Sequence, residues 1–78
     1  MELSKAFGRV LRRLRRQAGL SQEKLGFEAR LERNFISLLE LGRRQPSLQS
    51  VLKLSMALGV HPTRFVQLIC DELELHEK

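Results

Sequence analysis

The side chains in this chain best suited to chemistry are Arg33 and Asn34. They lie within the stretch SQEKLGFEARLERNFISLLE, from Ser21 to Glu40. Each can donate two hydrogen bonds at once, or a donor–acceptor pair, to the edge of a base: Arg to guanine, Asn to adenine. Two neighbouring groups suit an anion. Gln22 and Lys24 follow Ser21, which is a good N-cap, so they fall in a first helical turn. Free N–H groups and the positive end of the helix dipole favour a phosphate there. Arg43 and Arg44 open the loop Arg43-Arg44-Gln45-Pro46, where they would grip backbone phosphate. This is the chemistry of recognition, not of bond breaking. We find no P-loop, no dinucleotide fingerprint and no nucleophile–base arrangement. Carboxylate pairs such as Glu72 and Glu74 read as solubilising charge on an exposed helix end. His61 and His76 have no partner at metal-ligand spacing, and His61 reads as a loop residue or weak cap. No enzyme activity, cofactor, metal or small-molecule ligand is expected.

The elements that must position these groups follow from periodicity. Leu25, Leu31, Phe35, Ile36 and Leu39 are spaced for two short crossing helices. The break between them falls near Arg30-Leu31-Glu32. A left-handed Arg30 is plausible there, at roughly 1 kcal/mol or more. Glu32 would cap the second helix, less well than Ser or Asp. A helix that presents Arg33 and Asn34 in its first turn suits the major groove of DNA. The competing reading is an ordinary αα-hairpin with polar surface residues.

Before this pair, residues 4–18 form a helix whose buried face is Phe7, Val10, Leu11, Leu14 and Ala18. Arg9, Arg12, Arg13, Arg15 and Arg16 surround it, either as a solvated basic face or with one or two on phosphate. Gly19 ends the helix, and Leu20 is placed as a hydrophobic staple for the next. After the pair, Ser47 caps a helix over 48–58 with a wide apolar face of Leu48, Val51, Leu52, Leu54, Ser55 and Leu58. Gly59 closes it. Pro62 then starts a helix over 62–75, since Pro is well tolerated at a first helical position. The fold class is therefore all-α: a compact five-helix bundle forming one domain over 1–78.

Seventy-eight residues bury only ~60% of their unfolded surface, so the fold is marginal alone and dimerisation would help it. The charge is uneven. Residues 1–64 carry +8 and residues 65–78 carry −3. A basic body fits a polyanion, and an acidic tail suggests a different job. The lack of Trp and Tyr argues against stacking on single strands. One Cys, Cys70, rules out an internal disulfide, and it reads as a small packed residue. No signal peptide or span of ~18 apolar residues is visible, so a cytoplasmic protein without a membrane partner is expected.

The last helix has more apolar surface than one core needs. Phe65, Val66, Ile69, Cys70 and Leu73 form one arc, and Leu68 and Leu75 extend it. A helix packed on a single core needs a stripe of only about 100°. Phe65 and Ile69 can serve the core. Val66, Ile69, Cys70 and Leu73 are therefore the expected homodimer interface, with packing on the first and fourth helices as the competing reading.

These residues also carry a resemblance. Leu14-Arg15, Gly19-Leu20-Ser21-Gln22-Glu23, Leu25, Ile36-Ser37, Glu40, Gly42, Pro46-Ser47-Leu48 and Ala57-Leu58-Gly59-Val60 resemble the Cro/repressor type of helix-turn-helix domain, the xenobiotic-response-element family, over about residues 5–69. The compact size and helical tail are also similar to restriction–modification controller proteins. The resemblance implies a lambda-repressor-like fold and a homodimeric transcriptional regulator, a repressor or controller, on a near-palindromic operator. It implies that Arg33 and Asn34 read bases, with Ser37 and Leu38 facing the groove one turn later. It puts phosphate on Arg43 and Arg44 and phosphate or base on Gln22, which is counted with the phosphate contacts, and Lys24 is added to them from the residues. It pairs Arg15 with Glu40, which is sensible because Arg offers a rigid fork to a carboxylate. The chain departs from the family at Arg30, where Gly is usual, and at Leu38, usually polar, where a thymine-methyl or partner contact is expected instead. The alternative function is a protein-interaction module such as an antitoxin or adaptor.

Overall fold

The computed structural model describes residues 1–77 and the side chains of residues 1–75. Five helices follow one another: α1 (Leu3–Gln17), α2 (Gln22–Ala29), α3 (Arg33–Glu40), α4 (Leu48–Leu58) and α5 (Pro62–Glu77). His76, weighed above as a metal ligand, has its side chain outside the described residues.

Local chemistry explains most boundaries. Ser21 Oγ accepts from the Lys24 N–H, and Ser47 Oγ accepts from the Ser50 N–H, each at 3.0 Å. His61 Nδ1 accepts from the Thr63 N–H at the start of α5. Helices α1 to α4 all end in paired backbone bonds of the Schellman type. In α2 the Leu31 N–H reaches Gly26 O and the Arg30 N–H reaches Phe27 O. The left-handed residue in that motif is Arg30, at φ 57° and ψ 44°, whereas glycine fills the place after α1, α3 and α4. Glu32 occupies the N-cap of α3 but makes no side-chain cap bond. Its carboxylate is a poorer fit than the shorter Ser or Asp side chain.

The core is formed by Ala6, Phe7, Val10, Leu11 and Leu14 of α1, Leu25 and Ala29 of α2, Ile36 and Leu39 of α3, Leu54 of α4, and Phe65 and Ile69 of α5. Phe7 and Phe65 stack at 5.3 Å with their rings 6° apart, joining the first helix to the last. Helix α1 packs on both α3 and α5, and α2 packs on α3 and α4. So α1 is the spine against which the α2–α3 pair is held.

Several expectations need correction. Ala18 is the exposed C-cap of α1, not a core residue, because the helix ends one residue sooner. Leu48 and Leu52 are exposed, so the buried face of α4 is narrower, with Ser50, Leu54 and Ser55 inside. Ser55 is buried without penalty because its hydroxyl donates to Val51 O at 2.8 Å. Cys70 is exposed rather than packed, since Phe65 and Ile69 already turn the other side of α5 inward. Glu72 is not surface charge. It is buried, accepts from Arg13 Nη1 at 3.2 Å, and lies 3.7 Å from Arg9.

Gly8 sets the α1–α3 distance. A Cβ there would lie 2.5 Å from Leu39 O and 2.6 Å from Glu40 O, and backbone cannot yield as a side-chain tip can. Gly8→Ala should gain up to about 1 kcal/mol in helix propensity yet lose more through overpacking, typically about 1–3 kcal/mol. Urea unfolding of this variant is expected to show a net loss of stability. A stabilised Gly8→Ala would mean that α1 and α3 do not meet this closely.

Candidate nucleic-acid interface

The candidate interface is built on α3. Ile36 and Leu39 point inward and anchor it, which turns the first-turn residues Arg33 and Asn34 outward, and both are exposed. Ser37 and Leu38, a turn later, are half-buried. Gly26 lets the turn between α2 and α3 close tightly, since a Cβ there would lie 2.6 Å from Leu31 O.

The far end of α3 is fixed by an ionic network. Arg15 Nε donates to Glu40 Oε2 at 2.6 Å, and Nη2 donates to Oε1 at 3.0 Å. Arg15 Nη1 also donates to Leu20 O at 2.8 Å. One guanidinium therefore holds α1, the α1–α2 link and α3 together. Its side chain is 11% exposed and that of Glu40 is 3% exposed, so the pair is shielded from solvent. Hydrogen bonding to Glu40 holds the Arg15 guanidinium above its ordinary pKa, a gain that desolvation opposes and the Coulombic attraction reinforces. A raised basic pKa stabilises the fold wherever Arg is protonated, and that contribution fades only at strongly alkaline pH.

Gln22 joins this network: its Nε2 donates to Glu40 Oε1 at 3.1 Å. It is half-buried at the start of α2, so its amide position is tied to α3. Ser21, Gln22, Arg15 and Arg33 line one cleft, where the two helix starts converge. Lys24 pairs with Glu28 at 3.3 Å and sits over the exposed Phe27 ring, which leaves it less available to an anion than an unpaired lysine. Arg43 and Arg44 are exposed in the loop after α3, and Arg44 stacks over Phe35 at 5.8 Å. That contact ties the loop back to α3.

The residues expected at a dimer interface lie elsewhere. Val66 is 48% exposed, Cys70 is exposed, Leu73 is half-buried and Ile69 is in the core. All four line an apolar groove of about 350 Å³ between α1, α4 and α5. Leu48, 75% exposed, and Leu3 also line it. Sequence reading assigned Leu48 to the core because periodicity marks a helix face without saying what covers it. It also missed the Gln22–Glu40 bond and the Glu72 clamp. The only available sign of the latter was an acid on the apolar side of an amphipathic helix. Among the described residues, no helix is long and apolar enough to cross a membrane.

Comparison with known proteins agrees with this geometry. A family model described as a helix-turn-helix domain matches residues 6–68. The control protein C.BamHI of Bacillus amyloliquefaciens is 47% identical over 57 residues, 72% of this chain and 70% of that protein. The crystal structure of the restriction-modification controller protein C.AhdI from Aeromonas hydrophila superposes with a TM-score of 0.77 at 42% identity, covering 80% of this chain and 94% of that one. The controller protein C.Esp1396I, solved as a tetramer with its natural 35 base-pair operator, matches with a TM-score of 0.84 at 25% identity, covering 92% of this chain and 95% of its own.

Removing one member of the Arg15–Glu40 pair leaves a shielded charge unpaired. Arg15→Ala and Glu40→Gln should each cost about 3–5 kcal/mol, seen as a large drop in melting temperature. A change under ~1 kcal/mol, the value of an exposed pair, would show that the network is solvated and does not hold α3.

Proposed function

This chain belongs to the helix-turn-helix domain family, and from that membership we propose that it is a sequence-specific DNA-binding transcriptional regulator of the controller type. The observation that carries the reading is the outward Arg33 and Asn34 at the start of a helix whose opposite face is fixed in the core. Arg33 and Asn34 read bases in the major groove, and Ser37 and Leu38 extend the contact by one turn. Leu38 has no polar atom to offer and suits a thymine methyl. Gln22, Arg43 and Arg44 bind backbone phosphate, with Lys24 a weaker contributor because of its pair with Glu28. Phosphate contacts set register, and base contacts set sequence. No step involves catalysis, and work on DNA puts the protein in the cytoplasm.

The protein acts as a homodimer through the groove formed by Val66, Cys70, Leu73 and Leu48, with Ile69 as its floor. Exposed apolar side chains around a groove favour cover, and a twofold copy is the commonest cover in soluble oligomers. A dimer sets two recognition helices about 34 Å apart, which matches a near-palindromic operator. C.Esp1396I as a tetramer on 35 base pairs is consistent with two such dimers side by side on this chain's operator.

Selection from a random duplex pool supplies the operator, and Arg33→Ala then tests the reading. It should cost about 1–3 kcal/mol on the operator and relax one base pair per half-site, with little effect on random DNA. Equal losses on both would place Arg33 on the backbone. A wild-type protein that selects no sequence at all would favour the adaptor reading.

Val66→Asp tests the dimer. A folded monomer is expected in sedimentation, with operator affinity lower by about 100-fold or more through lost avidity. A Val66→Asp protein that remains dimeric and binds normally would move the interface away from this groove.

A further inference from the structure

Apart from Arg15, the arginines of α1 divide into two groups that the DNA-binding reading above does not use. At about 100° per residue, Arg15, Arg12, Arg16, Arg9 and Arg13 follow one another around the helix in that order. The arc starts at the DNA-facing cleft, where Arg15 sits with Gln22 and Arg33. It ends against α5, where Arg9 and Arg13 meet the buried Glu72 carboxylate. The arginines farthest from the cleft thus have an acid beside them. The two next to it, Arg12 and Arg16, are exposed and form no ion pair with any described residue. They stand one helical turn apart, about 6 Å along the axis, and line a shallow groove with Arg9, Arg13 and Gln17.

We propose that Arg12 and Arg16 form a second phosphate-binding surface, which takes the backbone of duplex DNA flanking the operator. This rests on the DNA-binding reading and extends it. The guanidinium fork matches phosphate geometry, and the surface begins one side chain round the helix from the operator cleft. It lies apart from the apolar groove on the other side of α1, lined by Leu3, Ser4 and Phe7, so dimerisation would leave it open. Its contacts carry no sequence information. They add affinity that depends on the length of DNA beyond the half-sites.

The test compares two duplexes titrated with the full chain at several salt concentrations. One is trimmed to the selected operator, and the other extends it by about one helical turn, ~10 base pairs, on each side. Wild type should bind the extended duplex more tightly and with a steeper salt dependence. Arg12→Ala/Arg16→Ala should abolish that difference. Its slope of log K against log salt on the extended duplex should flatten by about 3.6 for four lost contacts per dimer, while its affinity for the trimmed operator stays within twofold. Arg12→Lys/Arg16→Lys keeps the charge and should keep most of the length dependence. Both side chains are exposed, so melting temperature should not move. Wild-type binding independent of duplex length would overturn the proposal, and so would equal losses by the alanine variant on both duplexes. Absence of any operator binding by wild type would instead overturn the DNA-binding reading itself.

Discussion

A single carboxylate, Glu40, sits where three parts of the molecule must be held together. It is the last residue of α3, and it accepts from Arg15 on α1 and Gln22 on α2. A helix of eight residues is too short to be stable alone, so the orientation of α3 is imposed from outside. Ile36 and Leu39 fix its depth through packing, which is non-directional. The bidentate Arg15 fork fixes its direction, because planar paired hydrogen bonds tolerate little rotation. Gln22 then links that orientation to the α2 terminus.

The backbone geometry serves the same end. Gly8 allows α1 to lie directly on the last carbonyls of α3, which brings Arg15 within reach of Glu40. Arg30 takes the left-handed turn between α2 and α3 at a cost of about 1–2 kcal/mol, offset by the paired backbone bonds that close the motif. The far helix is stitched to the same spine by the Phe7–Phe65 stack and by Glu72 against Arg9 and Arg13. The proposed base-reading face and the proposed dimer groove therefore share α1 as a common frame. Such a frame can convert dimer geometry into half-site spacing.

Much of this was legible in the sequence because helix ends are written in local chemistry. Ser21, Ser47, Gly19, Gly42 and Gly59 mark boundaries through bonds made within a few residues, and they could be read without knowing the fold. The left-handed Arg30 could be inferred because the turn requires that conformation whatever residue supplies it. Long-range burial was harder. Leu48 and Leu54 have the same character, and only the path of α2 and α5 decides which is covered. Glu72 looked like surface charge because an acid is costly to bury alone, and its hydrogen-bond partner Arg13 lies 59 residues away. Gln22 was legible as a contact at a helix start, but its bond to Glu40 required knowing where α3 ends.

The central claim is that Glu40 couples the start of α2 to the recognition helix, so that both meet DNA as one body. A double-mutant cycle on operator affinity between Gln22→Ala and Glu40→Ala, at a temperature where all variants are folded, tests it most directly. Residues sharing a hydrogen-bond network deviate from additivity by about 0.5–3 kcal/mol, whereas independent ones add within about 0.5. The account predicts a coupling in the upper range, with little further loss from Gln22→Ala once Glu40 is changed. Additive losses would contradict it and would show that Gln22 and the recognition helix contact DNA independently.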